Sequence, residues 1–223
     1  MNILQILPEL NVGGVETGTM DFAKYLASHG HGSVVVSNGG YLVRELQEGG
    51  CTHYALPVHQ KNIFIALGCV RRLADIIRKE RIDIVHARSR VPAWIAYFAC
   101  RRTDAVFMTS CHGYYALHPF SRVMGWGKMV ITISQVIGRH MAADFGVPPE
   151  FIRVIPRSVD VAKFADPRTM PKDPQAPVIT MVGRITPLKG HAYFLKAMAR
   201  VARIFPKVKI QIIGDAPAKK AAY

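Results

Sequence analysis

Carboxylates are scarce in this chain, and long apolar runs are absent. Asp and Glu number 15 against 29 Lys and Arg, a formal charge of +14 over 223 residues. No run reaches the ~18 apolar residues of a spanning helix; "VPAWIAYFAC", residues 91–100, comes closest. The opening "MNILQILPEL" has no basic n-region and no small-residue cleavage site, so no secretory signal is expected and the chain reads as cytosolic. Its four cysteines, Cys51, Cys69, Cys100 and Cys111, form no C-x-x-C pair and lie at finger spacing from no histidine. Reduced and mostly buried thiols are expected, with no metal. His29 and His31 of "HGH" lie in a polar turn and read as a solvated loop.

Three enzyme classes fail on missing motifs. Neither glycine loop reads G-x-G-x-x-G, and the second strand ends "VVVSNGG" with no acidic residue for a ribose, which argues against a nicotinamide dehydrogenase. Lys189 is followed by Gly190 and His191, so there is no Walker sequence, and G-x-S-x-G is absent.

The positive charge suits nucleic acid, an anionic membrane surface or a polyphosphate substrate. Basic residues are dispersed, which argues against a nucleic-acid arm. The denser stretches are "VRRLADIIRKER", residues 70–81, and the surroundings of Arg88, Arg90, Arg101 and Arg102. Leu67, Val70, Leu73 and Ile77 have helical spacing, so the first stretch predicts a helix with a solvated basic face that lipid headgroups can meet.

Runs rich in valine and isoleucine alternate with helical patterns. "NILQIL", "SVVVSN", "HYALP", "IDIVHA", "AVFMTS", "MVITIS" and "IRVIP" predict strands, and helices are expected around 15–28, 42–49, 63–80, 90–102 and 135–145. Short runs joined by long crossovers describe a doubly wound parallel α/β sheet. Residues 1–165 are therefore expected to form one Rossmann-like domain. The proline-rich "DPRTMPKDPQAP" within 166–177 reads as a linker, and 178–223 as the opening of a second such domain, with strand "PVITMVG", a helix from about His191 to Phe205 and strand "VKIQIIG". Two such domains in tandem suggest a ligand cleft at the carboxyl ends of the strands.

The residues at those ends suit a phosphate. "LNVGGVETGTM", residues 10–20, puts Gly13 and Gly14 between the first strand and the first helix, where bare backbone N–H groups meet anions; the alternative is a turn needing positive φ. His112 and Gly113 follow "AVFMTSC", and "VGRITPLKG" puts Arg184 and Lys189 between strand and helix, a cationic receptor for a pyrophosphate.

With "GGVE" after the first strand, "CHG" at 111–113, "ITIS" ending at Ser134, "VIPRSVDVAKF" at 154–164, "VGRITPLKG" at 182–190 and "IIGDAP" at 212–217, the chain resembles the retaining glycosyltransferases of glycosyltransferase family 4. The resemblance implies the GT-B fold, with an acceptor-side first domain and a donor-nucleotide-binding second one. It implies transfer of a sugar from a nucleoside-diphosphate donor to a hydroxyl acceptor with retention, without a cofactor or metal. Gly13 and Gly14 would let the backbone approach the donor phosphate and sugar. His112 would bond a sugar hydroxyl and help stabilise charge at the anomeric centre, and Arg184 and Lys189 would hold the diphosphate as leaving group. Glu16, Ser134 and Asp160 are further candidates for the cleft. The basic first domain suits a glycan or lipid-linked acceptor at the inner face of a bacterial membrane, as in lipopolysaccharide synthesis; no nucleic-acid partner is expected.

Two departures stand out. Where many members read "PNGVD" this chain has "PRSVD", so Ser158 is expected to strain the turn if a glycine there serves a positive φ. The family's two glutamates eight residues apart, which bind the donor, would lie beyond Asp215, whereas the sequence ends at Tyr223. It reads as a truncated form with most of the donor site missing. The competing reading is an inactive remnant that binds nucleotide or a membrane surface.

Overall fold

The computed structural model describes residues 1–159, 161 and 176–215. Two compact units divide the chain, Met1–Val159 and Asp160–Tyr223, and each is described by itself. In the first, β1 (Asn2–Ile6), α1 (Gly14–Ser28), β2 (Gly32–Ser37), α2 (Val43–Glu48), β3 (Thr52–Ala55), α3 (Ile63–Lys79), β4 (Ile84–Ala87), α4 (Arg90–Cys100), β5 (Val106–Cys111), β6 (Val130–Thr132), α5 (Gln135–Ala143) and β7 (Ile152–Val154) follow one another. Short 3-10 helices at Pro119–Gly125 and Pro149–Phe151 fill the connections on either side of α5 and β6, which periodicity did not reveal.

All seven strands are parallel, in the order β3-β2-β1-β4-β5-β6-β7. Alternation within the strands builds two cores. Leu4, Ile6, Val34, Val36 and Val85 join residues of α3, α4 and α5 on one face. Leu7 and Val35 join Met20 and Ala23 of α1 and Leu46 of α2 on the other. Helices on both faces explain why the strands read as continuous apolar runs. The four cysteines are free and buried in these cores.

Helix α3 begins where Asn62 Oδ1 accepts from the backbone N–H groups of Phe64 (2.9 Å) and Ile65 (3.3 Å), an N-cap. Its inner stripe is Cys69, Val70, Leu73, Ala74, Ile76 and Ile77, with Arg71, Arg72, Arg78 and Lys79 outside. Leu67, expected on the inner stripe, is exposed, because the buried stripe starts only at Cys69.

The second unit contains β8 (Val178–Val182), α6 (His191–Ile204) and β9 (Lys209–Ile213), with the two strands parallel. Gly190, between Lys189 and α6, has φ 73°, a left-handed turn that a side chain would strain. Every residue of β9 is exposed within this small unit. No helix among the described residues is long and apolar enough to cross a membrane.

Candidate functional site

The strand order reverses between β1 and β4, and open parallel sheets bind ligands in the crevice at such a reversal. The loops after β1, β4, β5 and β7 bring Gly13 and Gly14, Arg88, His112 and Arg157 to this edge.

Gly13 is extended, with φ 179° and ψ 163°, and Gly14 opens α1, so neither serves a positive-φ turn. Their value is space. A Cβ on Gly14 would lie 2.7 Å from Arg157 Nη1, and one on Gly13 would overlap the carboxylate of Glu16. No side chain caps α1, which leaves its first N–H groups open to an anion. Glu16 lies in that first turn and favours the charge of Arg88.

Arg157 ties the site together. Its Nη1 donates to the Gly14 carbonyl, and its Nη2 lies 3.2 Å from His112 Nδ1. A guanidinium can only donate, so Nδ1 accepts and the ring proton of neutral His112 sits on Nε2. That Nε2–H is buried without a partner. Arg88 donates through Nη1 to Gln5 Oε1 and, at 3.4 Å, to the Gly18 carbonyl, while its Nε is also buried and unpaired. Gln5 is itself buried in mid-strand, held by its Nε2 donating to Thr19 O at 3.1 Å.

Burial and then the charges of Arg88 and Arg157 push the His112 pKa down to about 3. Burial, with Arg157 adding to it and Glu16 opposing it, lowers Arg88 to about 10. His86, buried one strand away with its Nε2 on Ser110 Oγ, is held well below the usual imidazole range by burial, then by Arg88 and His112. The site is thus two guanidiniums around neutral imidazoles, with one carboxylate beside them: a cation surplus facing an uncapped helix.

This predicts a signed pH dependence. The pKa values of His86 and His112 are depressed on folding, so as pH falls below about 6.5 the unfolded chain takes up protons that these sites refuse in the folded chain, and stability is lost. For His112 the loss runs from about 6.5 down to about 3. Urea midpoints followed by circular dichroism should fall between those limits, less steeply in His112→Gln. Parallel profiles for the two proteins would contradict the assigned shift.

Ser134 is the N-cap of α5, its Oγ accepting from Ile137 N–H at 3.3 Å. Arg184 and Lys189 are exposed in the second unit, after β8 and before α6. Asp160 lies outside the described residues. Ser158 is not at positive φ, so the expected strain there is absent: an L residue fits the local backbone.

Sequence reasoning missed Arg157, Arg88 and Gln5. For Arg157 the signal was the departure from "PNGVD" itself. For Arg88 it was position, directly after a strand at the sheet's reversal. For Gln5 it was an amide inside an otherwise apolar strand, which needs a buried partner.

The comparisons agree with this architecture. Residues 12–163 match the model of Glycosyltransferase Family 4, and 163–222 that of Glycosyl transferases group 1. A glycosyltransferase structure from Rickettsia africae ESF-5 is similar with TM-score 0.76 and 30% identity, covering 96% of this chain and 68% of that one. Anabaena Alr3699/HepE, solved with UDP and glucose, is similar in fold with TM-score 0.74 and 19% identity, over 100% of this chain and 63% of that one. A GDP-mannose-dependent monoacylated alpha-(1-6)-phosphatidylinositol monomannoside mannosyltransferase of Corynebacterium glutamicum is 32% identical over 163 residues, 64% of this chain and 42% of that protein. The chain spans 24%, 50% and 42% of three curated relatives it matches. With a family model matched over more than half its length, and that family's α/β fold, the chain belongs to glycosyltransferase family 4.

Proposed function

We propose that this chain serves the retaining transfer of a sugar from a nucleoside-diphosphate donor to a hydroxyl acceptor, residues 1–165 forming the acceptor-side domain, 166–177 a linker and 178–223 part of the donor-nucleotide domain. The observation that carries this reading is the buried, unpartnered Nε2–H of His112, which Arg157 links to the open N-terminus of α1. Family membership supplies the reaction class.

The residues divide the work by charge. A leaving diphosphate carries negative charge, which the α1 N-terminus and fixed guanidiniums stabilise without reorganising. A departing donor leaves positive charge at the anomeric carbon. A protonated His112 would oppose that charge; the neutral ring donates a hydrogen bond from Nε2 to a sugar hydroxyl and adds no cation. Gly13 and Gly14 let Glu16 and Arg157 lie directly against the backbone at the mouth of α1, which places both charges at the site. In the second unit, Arg184 and Lys189 are the candidate cations for the donor diphosphate; Glu16 and Asp160 remain candidate site residues, whereas Ser134 is taken up as the cap of α5.

The donor class is supported by the UDP and glucose of the Anabaena structure and by the GDP-mannose in the name of the Corynebacterium relative. That relative's phosphatidylinositol monomannoside also supports a lipid-linked acceptor; a lipopolysaccharide or other cell-envelope glycan acceptor at the inner membrane face rests on the basic charge of the first domain. A second reading, a form that binds nucleotide or a membrane surface without transferring, is favoured by the small second sheet, which has two strands among the described residues. Release of nucleoside diphosphate from UDP-, GDP- and ADP-sugars by this chain, beside a version carrying a complete second domain, separates the two. Equal turnover would remove the non-transferring reading.

Arg184→Ala and Lys189→Ala should each weaken nucleoside-diphosphate affinity about tenfold, the loss growing as salt is lowered. Calorimetric titration at two ionic strengths checks this. Unchanged affinity in both variants would exclude them from the diphosphate site.

A further inference from the structure

Outside the site, α4 and the connection after β5 build a surface of aromatic rings. Trp94 stands at the centre, with ring centroids 5.9 Å from Phe98, 5.8 Å from Phe120 and 5.0 Å from Trp126. Its Nε1–H donates to the Phe120 carbonyl at 2.9 Å, which fixes the centre while the rim stays open. Phe98 is 47% exposed, Trp126 45% and Phe120 42%, so a contiguous set of large rings faces water, which single scattered apolar residues would not form.

The charge around it is predominantly positive. Residues 85–135 contain six Lys and Arg and a single carboxylate, Asp104. Arg101 sits over Tyr97 at 5.9 Å from its ring centroid, and Tyr97 in turn lies 5.0 Å from Trp126, so the rings run directly into cations. Arg101 and Arg102 also line a cavity of about 650 Å³ with Arg78 and Arg81. Arg101, Arg102, Arg122 and Lys128 are all exposed, and none forms an ion pair among the described residues.

We infer that this face docks on an anionic bilayer, Trp94, Phe98, Phe120 and Trp126 entering the headgroup layer and the arginines meeting lipid phosphates. Tryptophan and tyrosine favour that interface because one part of the ring system is apolar and the other bonds water, and each nearby cation adds attraction to acidic lipid. An acidic protein partner would use the cations and leave so many exposed rings idle; a neutral apolar partner would leave the cations unpaired. The inference places the basic lipid-facing surface on α4, where the sequence suggested α3. It deepens the reading of a membrane-borne acceptor but is measured without transfer, so either can fail alone.

The chain's only two tryptophans, Trp94 and Trp126, are both in the patch, so intrinsic fluorescence reports on it directly. Vesicles of phosphatidylcholine with 30–40%, or about a third, phosphatidylglycerol should bind the chain at low salt, shift tryptophan emission to the blue, and quench it when the acyl chains are brominated. Pure phosphatidylcholine should bind far less. The double variant Arg101→Glu with Arg102→Glu should lower vesicle partition on the order of tenfold or more, and Phe98→Ser should reduce the brominated-lipid quenching, both with an unchanged far-ultraviolet spectrum. The inference is overturned if the chain ignores anionic vesicles, if it sediments with them while tryptophan emission stays unmoved, or if the ring surface is instead occluded by a second copy that vesicles do not displace.

Discussion

Replacing His112 by alanine should lower transfer by about 100-fold or more and leave the thermal midpoint within about 3 °C of the parent. The two halves of that result have separate causes. The lost rate reflects a positioned donor that acts on the substrate, an interaction of the kind worth two to three orders of magnitude, roughly, when removed from a pre-formed site. The preserved fold follows because Nε2 has no partner to lose, and the one hydrogen bond on Nδ1 comes from exposed Arg157. Removing a buried, unpaired donor even relieves a small desolvation cost. His112→Gln retains an amide donor and should recover part of the rate. Nucleoside-diphosphate release beside a melting curve reads both halves; full turnover in the alanine variant would end the proposed role.

The difference between what the sequence made legible and what it hid follows from the range of the interactions. Strands such as "SVVVSN" and helices such as 63–80 are local patterns, and their burial on both sides of a parallel sheet shows in composition alone. Glycines after the first strand and a histidine after the fifth are also local marks, because strand ends of such a sheet converge on one edge. Arg157 and Arg88 are different. Their partners, Gly14 for one and Gln5 for the other, stand 143 and 83 residues away in sequence. Only strand order brings them together. The charge excess therefore read as dispersed, although the fold gathers two of its arginines around one imidazole. Ser134 shows the converse: a serine closing a strand resembled a cleft residue and serves locally as a helix cap.

Arg88→Met should cost about 100-fold in kcat/KM and also shift its pH dependence. The guanidinium is half-buried, its charge opposed by burial and by Arg157, and such a cation persists where an anion repays it on binding. Without it, Gln5 Oε1 loses its donor inside the sheet, which costs about 1–3 kcal/mol, partly offset because the unfavourably placed charge is gone. His112 meanwhile loses the larger of the two charges that hold its pKa down, while burial, the largest cause, remains. Its pKa rises from about 3 but stays below the ordinary value near 6.5. If neutral His112 is the working form, activity is lost as pH falls through that pKa, so the acid limb must move to higher pH. Arg157→Gln should move it in the same direction by less, since Arg157 contributes the smaller charge effect. An acid limb that stays in place in both variants, with the rate still reduced, would mean that the arginines hold substrate but do not set the state of His112.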